Sequence, residues 1–142
     1  MRLLIFFAFV LLSNIPVNGQ NLTWDSISPR ATDPNIATGA FNLRNYMIRS
    51  DQDTMHTLVV FLPGTSRQPN NYLFIMEQLA LMGYHVIGLM YKTDPAINPI
   101  CRTTDDETCH WRARMENIDG VDRHPSVSVD VTNSILNRLQ KL

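Results

Sequence analysis

Charge is sparse in this chain of 142 residues and neither sign prevails: 12 Lys and Arg stand against 13 Asp and Glu, a formal net charge of −1. Without a basic excess there is no field to gather a nucleic acid. The chain is not the polar, highly charged kind that stays disordered, because 44% of its residues are hydrophobic and only 18% charged. Cysteine occurs twice, too seldom for a small domain stapled by disulfides. No apolar run reaches the ~20 residues that a membrane-spanning helix needs, and no internal repeat, heptad series or low-complexity tract is evident. Glycine is scarce too, at positions 19, 39, 64, 83, 88 and 120. No two of these are four apart, which excludes a Gly-x-Ser-x-Gly sequence. What is left is one core-forming domain of ordinary length.

The N-terminus reads as an address. Arg2 supplies a positive start, Leu3 to Leu12 are all apolar, and Ser13, Asn14 and Pro16 break the run. Val17-Asn18-Gly19 then suits cleavage before Gln20, the pattern of a secretory signal peptide over residues 1–19. The competing reading is an uncleaved anchor, but an apolar run of this length crosses only about half of a ~30 Å hydrocarbon core. The mature chain is therefore expected to be secreted and without a membrane span. Two features agree with an extracellular setting. Asn21-Leu22-Thr23 is an N-glycosylation sequon. Cys101 and Cys109 are spaced for a short-loop disulfide, with a pair of free thiols as the alternative.

Residues 20–44 are turn-rich and read as an extended lead-in to a domain over 45–142, with a weak strand near Asn45–Arg49. Thr57–Leu62 (TLVVFL) is a short apolar run closed by Pro63-Gly64, the pattern of a strand buried on both faces. Asn70 or Asn71 is placed to cap a helix over Tyr72–Met82, where Leu73, Met76 and Ala80, and Ile75, Leu79 and Met82, recur at helical spacing. Gly83 stands where a left-handed residue ends such a helix. His85–Tyr91 (HVIGLMY) reads as the next strand, so the three elements predict a βαβ unit. A loop-rich stretch follows, with a short helix over Trp111–Asn117. Ser126–Leu142 is expected to form a last helix, with Val131, Ile135, Leu139 and Leu142 on one face and Asn133, Asn137, Arg138 and Lys141 on the other.

The block LVVFLPGTSRQPNNYLFIMEQLALMGYHVIGLMY (Leu58–Tyr91) resembles the front half of an α/β-hydrolase. It is most similar to a secreted or bacterial uncharacterised group with an "FLPGT" loop and a "GYHVIGLxY" strand, and the likeness extends to Leu142 through Cys101 and Cys109, Arg114, Asp119-Gly120 and the segment Asn133–Leu139. The resemblance implies a three-layer α/β fold of which this chain holds only the N-terminal part of the sheet, a βαβ core plus a C-terminal helix. It also implies that the loop after the first buried strand gives an oxyanion-hole donor. On this sequence that donor is the backbone N–H of Thr65, or else of Ser66. Pro63 stands where the family often has His. The nucleophile elbow, the acid and the catalytic His would all come after Leu142, so no histidine here maps to a catalytic role.

Other residue sets carry weaker readings. Ser66 as a nucleophile would need His56 or His85, but both sit at strand starts, away from the end where α/β sheets bind ligands. Cys101, Cys109, His110 and His124 match no zinc-finger spacing, and a disulfide explains the cysteines more simply. Asp105-Asp106-Glu107 lacks the alternation and Gly of a calcium loop and reads as a solvated acidic turn. Trp111, next to the basic Arg112 and Arg114, reads as a partly buried aromatic, with contact to a partner as the alternative. Two functions are carried forward. One is the N-terminal portion of a secreted serine-type hydrolase of small ester or acyl substrates, inactive alone and needing no cofactor or metal. The other is a non-catalytic secreted binding protein on a shortened hydrolase-like scaffold.

Overall fold

The computed structural model describes residues 19–142 except residue 53, so the expected signal peptide lies outside the described residues but for Gly19. Four strands form one mixed sheet: β1 (Leu22–Ile27), β2 (Asn45–Ser50), β3 (Leu58–Phe61) and β4 (His85–Gly88), in the spatial order β1-β2-β4-β3. β1 and β4 each run antiparallel to β2, while β3 and β4 are parallel. The domain is therefore α/β, as the βαβ reading expects. β1 lies inside the lead-in segment and pairs along its whole length with β2, from Leu22 opposite Ser50 to Ile27 opposite Asn45.

Between β3 and β4 the chain passes through a 3-10 turn at Pro69–Tyr72 and the helix Leu73–Leu81. A smaller helical turn at Pro29–Thr32 precedes it, so the two are α1 (Pro29–Thr32) and α2 (Leu73–Leu81). Asn71 does not cap α2 directly. Its Oδ1 accepts the Gln68 N–H at 3.0 Å and so closes the 3-10 turn one step earlier. At the other end Gly83 takes φ 89°, Gly83 N–H donates to the Ala80 carbonyl and Tyr84 N–H to that of Leu79. This paired 5→2 and 6→1 closure is a Schellman motif, as the glycine predicts.

The two apolar rows of α2 are buried unequally, and of the second row Leu79 alone packs, partly buried, against the core. Met76 and Ala80 are fully buried against Ile48 and Val86, with Leu22, Tyr46 and Phe61 around them. Ile75 and Met82 of the other row are exposed. The approach at the helix start is close: a Cβ on Gly88 would come within 2.7–2.9 Å of Met76 and Pro69. The opposite face of the sheet carries an open groove of about 650 Å³, lined by Met47, Arg49, Leu58, His85 and Ile87 among others. β3 is an edge strand among the described residues, pairing with β4 alone.

After β4 the chain builds a helical region from α3 (Ile97–Cys101), α4 (Cys109–Asp119) and α5 (Ile135–Gln140). α4 is longer than the predicted 111–117 and stops at Gly120, where φ is 76°. The expected C-terminal helix is much shorter than 126–142. Val127 and Val129 are instead buried beside Ala113 in a second small core, and Val131 is 62% exposed. Ser134 starts α5, its Oγ accepting the Asn137 N–H. The polar face of that helix is not a solvent face either. Arg138 is 1% exposed and donates to the carbonyls of Met90 and Asn133, which ties α5 to the end of β4. Burial pulls its pKa down to about 10.

Candidate functional site

The sheet sends β3 and β4 the same way, so the segments leaving both strands meet at one end. That end is where open α/β sheets hold ligands. From β3 the chain runs through Leu62 and Pro63 into the turn Gly64–Arg67, closed by the Arg67 N–H on the Gly64 carbonyl at 3.1 Å. Ser66 holds the third position with φ 56°. A positive φ at a non-glycine residue costs about 1–2 kcal/mol, and the Ser66 hydroxyl is held by Asp94, Oγ to Oδ1 at 2.8 Å. From β4 the chain reaches Tyr91, whose hydroxyl donates to the Pro63 carbonyl at 2.9 Å. Burial raises the Tyr91 pKa, with the Arg114 charge acting the other way.

These segments and α3 and α4 enclose a cleft of about 200 Å³. Gly64 and Thr65 line one side, Tyr91, Lys92 and Thr93 another, and Asn98, Arg114 and Asn117 the helical side. No acidic residue and no histidine lines it. Among the described residues the Thr65 N–H and the Ser66 N–H have no acceptor. Gly64 has no internal reason to be glycine: its φ is not positive, and a Cβ there would meet only the Tyr72 hydroxyl, at 3.5 Å. The expected oxyanion donors thus sit on an open loop at the ligand end of the sheet.

Ser66 has no histidine partner to activate it. His85 opens β4 and His56 precedes β3, and both line the groove on the sheet face. Ser66 lies beyond the opposite end of β3, in line with the argument from strand polarity.

Cys101 and Cys109 form the expected disulfide, with Cα atoms 5.6 Å apart. His124 joins them, Nε2 lying 3.2 Å from the Cys109 Sγ, and its Nδ1 accepts the Ser126 N–H. A neutral ring therefore carries its proton on Nε2 and points it at sulfur. Cys101, Cys109 and His124 are within ligand distance of one another, but a disulfide sulfur is not the thiolate a metal needs. His110, the fourth residue of that sequence set, is exposed and not part of the cluster.

The acidic turn is partly structural. Asp106 accepts from Thr108 and pairs with Arg112, while Asp105 and Glu107 are exposed. Trp111 is 58% exposed rather than partly buried, because it points away from the face of α4 that buries Ala113 and Glu116. Asn21 is exposed at the start of β1, with its Nδ2 donating to Asp51 at 2.9 Å.

Sequence reasoning missed the residue that organises this helical region. Glu116 is buried and takes three main-chain donors, the N–H groups of Arg123, His124 and Val129. Its signal was weak, a lone Glu one turn before Asp119-Gly120. Comparison of the chain with protein-family models, with curated proteins and with solved structures finds no match.

Proposed function

We propose that this chain is the N-terminal, sheet-forming portion of a secreted α/β-hydrolase-like protein that cleaves ester or related acyl bonds. In this reading the Thr65 N–H, with Ser66 as the second choice, stabilises the oxyanion of a tetrahedral intermediate. The nucleophile comes from chain beyond the part described here. The observation that carries the reading is the unpaired Thr65 N–H on a loop at the C-terminal end of β3, in a sheet ordered β1-β2-β4-β3. A preorganised donor of this kind is worth about 3 kcal/mol to a transition state once a nucleophile is present.

The edge position of β3 supports the same reading, since an apolar strand left at an edge is a surface for a further strand. So does the open groove on the second sheet face, which later helices would cover in a three-layer fold. That groove is also the observation in favour of the alternative, a secreted binding protein without catalysis.

The test uses the secreted protein captured with an antibody to Leu58–Leu142. It should react with a fluorophosphonate probe, whereas the 142-residue polypeptide alone should neither label nor hydrolyse p-nitrophenyl acetate above a heat-denatured control. A stable, monodisperse secreted protein of this length that does not label would contradict the proposal and favour the binding reading.

A further inference from the structure

The cleft beside the Gly64–Arg67 turn has a chemistry of its own. We infer that its helical side is a binding site for one small anionic group, a carboxylate or a phosphate. Three observations carry this. The lining includes two cationic side chains, Lys92 and Arg114, and no acidic one. Lys92 is anchored, its Nζ donating to the Ser128 carbonyl at 2.8 Å. Arg114 is exposed, and no carboxylate pairs with it among the described residues, although Asp106 and Asp119 pair with Arg112 and Arg123 on the same helix or just after it.

The neutral lining fits the same ligand. Asn98 and Asn117 offer amide N–H donors, and the open Thr65 N–H stands on the facing loop. A planar guanidinium flanked by amides makes the charge-assisted, paired bonds that carboxylate and phosphate oxygens accept. The nearest acid by sequence, Asp94, does not line the cleft and is occupied by Ser66.

Two sources share this chemistry: a free anion, or the charged end of an ester whose carbonyl faces Thr65. Only the second rests on the hydrolase reading. In that case the substrate is an acyl ester bearing a negative charge on the far side of the scissile bond from the oxyanion.

The experiment is a titration of the full chain at fixed ionic strength, following the amide signals of Asn98, Asn117 and Thr65 by NMR. Inorganic phosphate and monomethyl succinate are the two probes. Saturable shifts confined to these residues are expected, with Arg114→Gln weakening binding about tenfold or more, Arg114→Lys less, and Arg49→Gln not at all. Tighter binding of phosphate would identify the free anion as the source, and tighter binding of the monoester the substrate. Linear, unsaturable shifts with both probes, or equal affinity in Arg114→Gln, would overturn the site. Because the readout needs no turnover, such a failure leaves the oxyanion assignment standing, and failure of fluorophosphonate labelling leaves the anion site standing.

Discussion

The Tyr91 hydroxyl donates to the main-chain carbonyl of Pro63 at 2.9 Å, joining the segment that leaves β4 to the turn that leaves β3. The bond is half-buried, and Gly64, Thr65 and Tyr91 on either side of it all line the cleft. It adds to the four-residue parallel ladder between β3 and β4 and to the Ser66–Asp94 bond between the segments that leave them.

Tyr91→Phe should therefore cost about 1 kcal/mol. It should also change the alkaline behaviour. Burial holds the Tyr91 pKa above the usual phenol value, so the unfolded chain gives up this proton first. The stabilisation is fully present below the ordinary value of about 10 and is lost as pH rises through the folded one. Tyr91 should give a late phenolate absorbance step, and Tyr91→Phe should remove it.

Two glycines with left-handed backbones should respond very differently to alanine. At Gly120 a Cβ would lie 2.3–2.4 Å from the backbone of Asp130 and Val131, on top of a φ of 76°. At Gly39 φ is 82° and, among the described residues, nothing lies within 4 Å of such a Cβ. Gly39→Ala should cost about 1 kcal/mol, the left-handed penalty alone. Gly120→Ala should cost more than about 3 kcal/mol, because backbone must move. Urea midpoints of the two variants decide it.

Glu116→Ala should be among the most damaging single changes in the helical region, at about 3–5 kcal/mol. It leaves three main-chain donors without their acceptor. Glu116→Gln should fall between, since its one carbonyl oxygen can keep the Arg123 and His124 N–H groups while its amide faces that of Val129. Hydrogen exchange at Val129 should then rise more than at His124.

Acid should loosen the end of α4. The Arg123 side chain first, and then the Val121 N–H, hold the Asp119 carboxyl below the usual carboxylate value. A lowered folded pKa gives stability that is present above about 3.9 and is lost as pH falls through the folded value. Asp119→Asn should flatten the fall of the urea midpoint between about pH 5 and pH 2. An unchanged acid slope would show that other carboxylates carry it.

The parts of this fold legible in the sequence are those fixed by neighbours along the chain. Leu58–Phe61, the helix after it and the Schellman glycine at 83 follow from local apolar spacing and backbone sterics. β1 is harder to see, because Thr23, Asp25 and Ser26 dilute its apolar pattern and its partners lie 18 to 28 residues further along the chain. The C-terminal segment misled for a physical reason. Val127, Val129 and Val131 alternate at a spacing of two, and the extended backbone buries the first two against Ala113. Periodicity also could not tell that Arg138 faces inward, since what buries it is the Met90 carbonyl, 48 residues earlier in the chain. At the site, the turn at Gly64–Arg67 was readable, while Lys92, Asn98, Arg114 and Asn117 converge on it only in three dimensions.

The central claim, that this sheet and its Thr65 loop belong to a serine-type hydrolase, is tested most directly by sequencing the transcripts across and beyond the Leu142 codon. The account predicts an open reading frame with a Gly-x-Ser-x-Gly elbow soon after α5, then an acidic residue and a histidine in that order. A stop codon directly after Leu142 in every transcript, with no such elbow downstream, would contradict it.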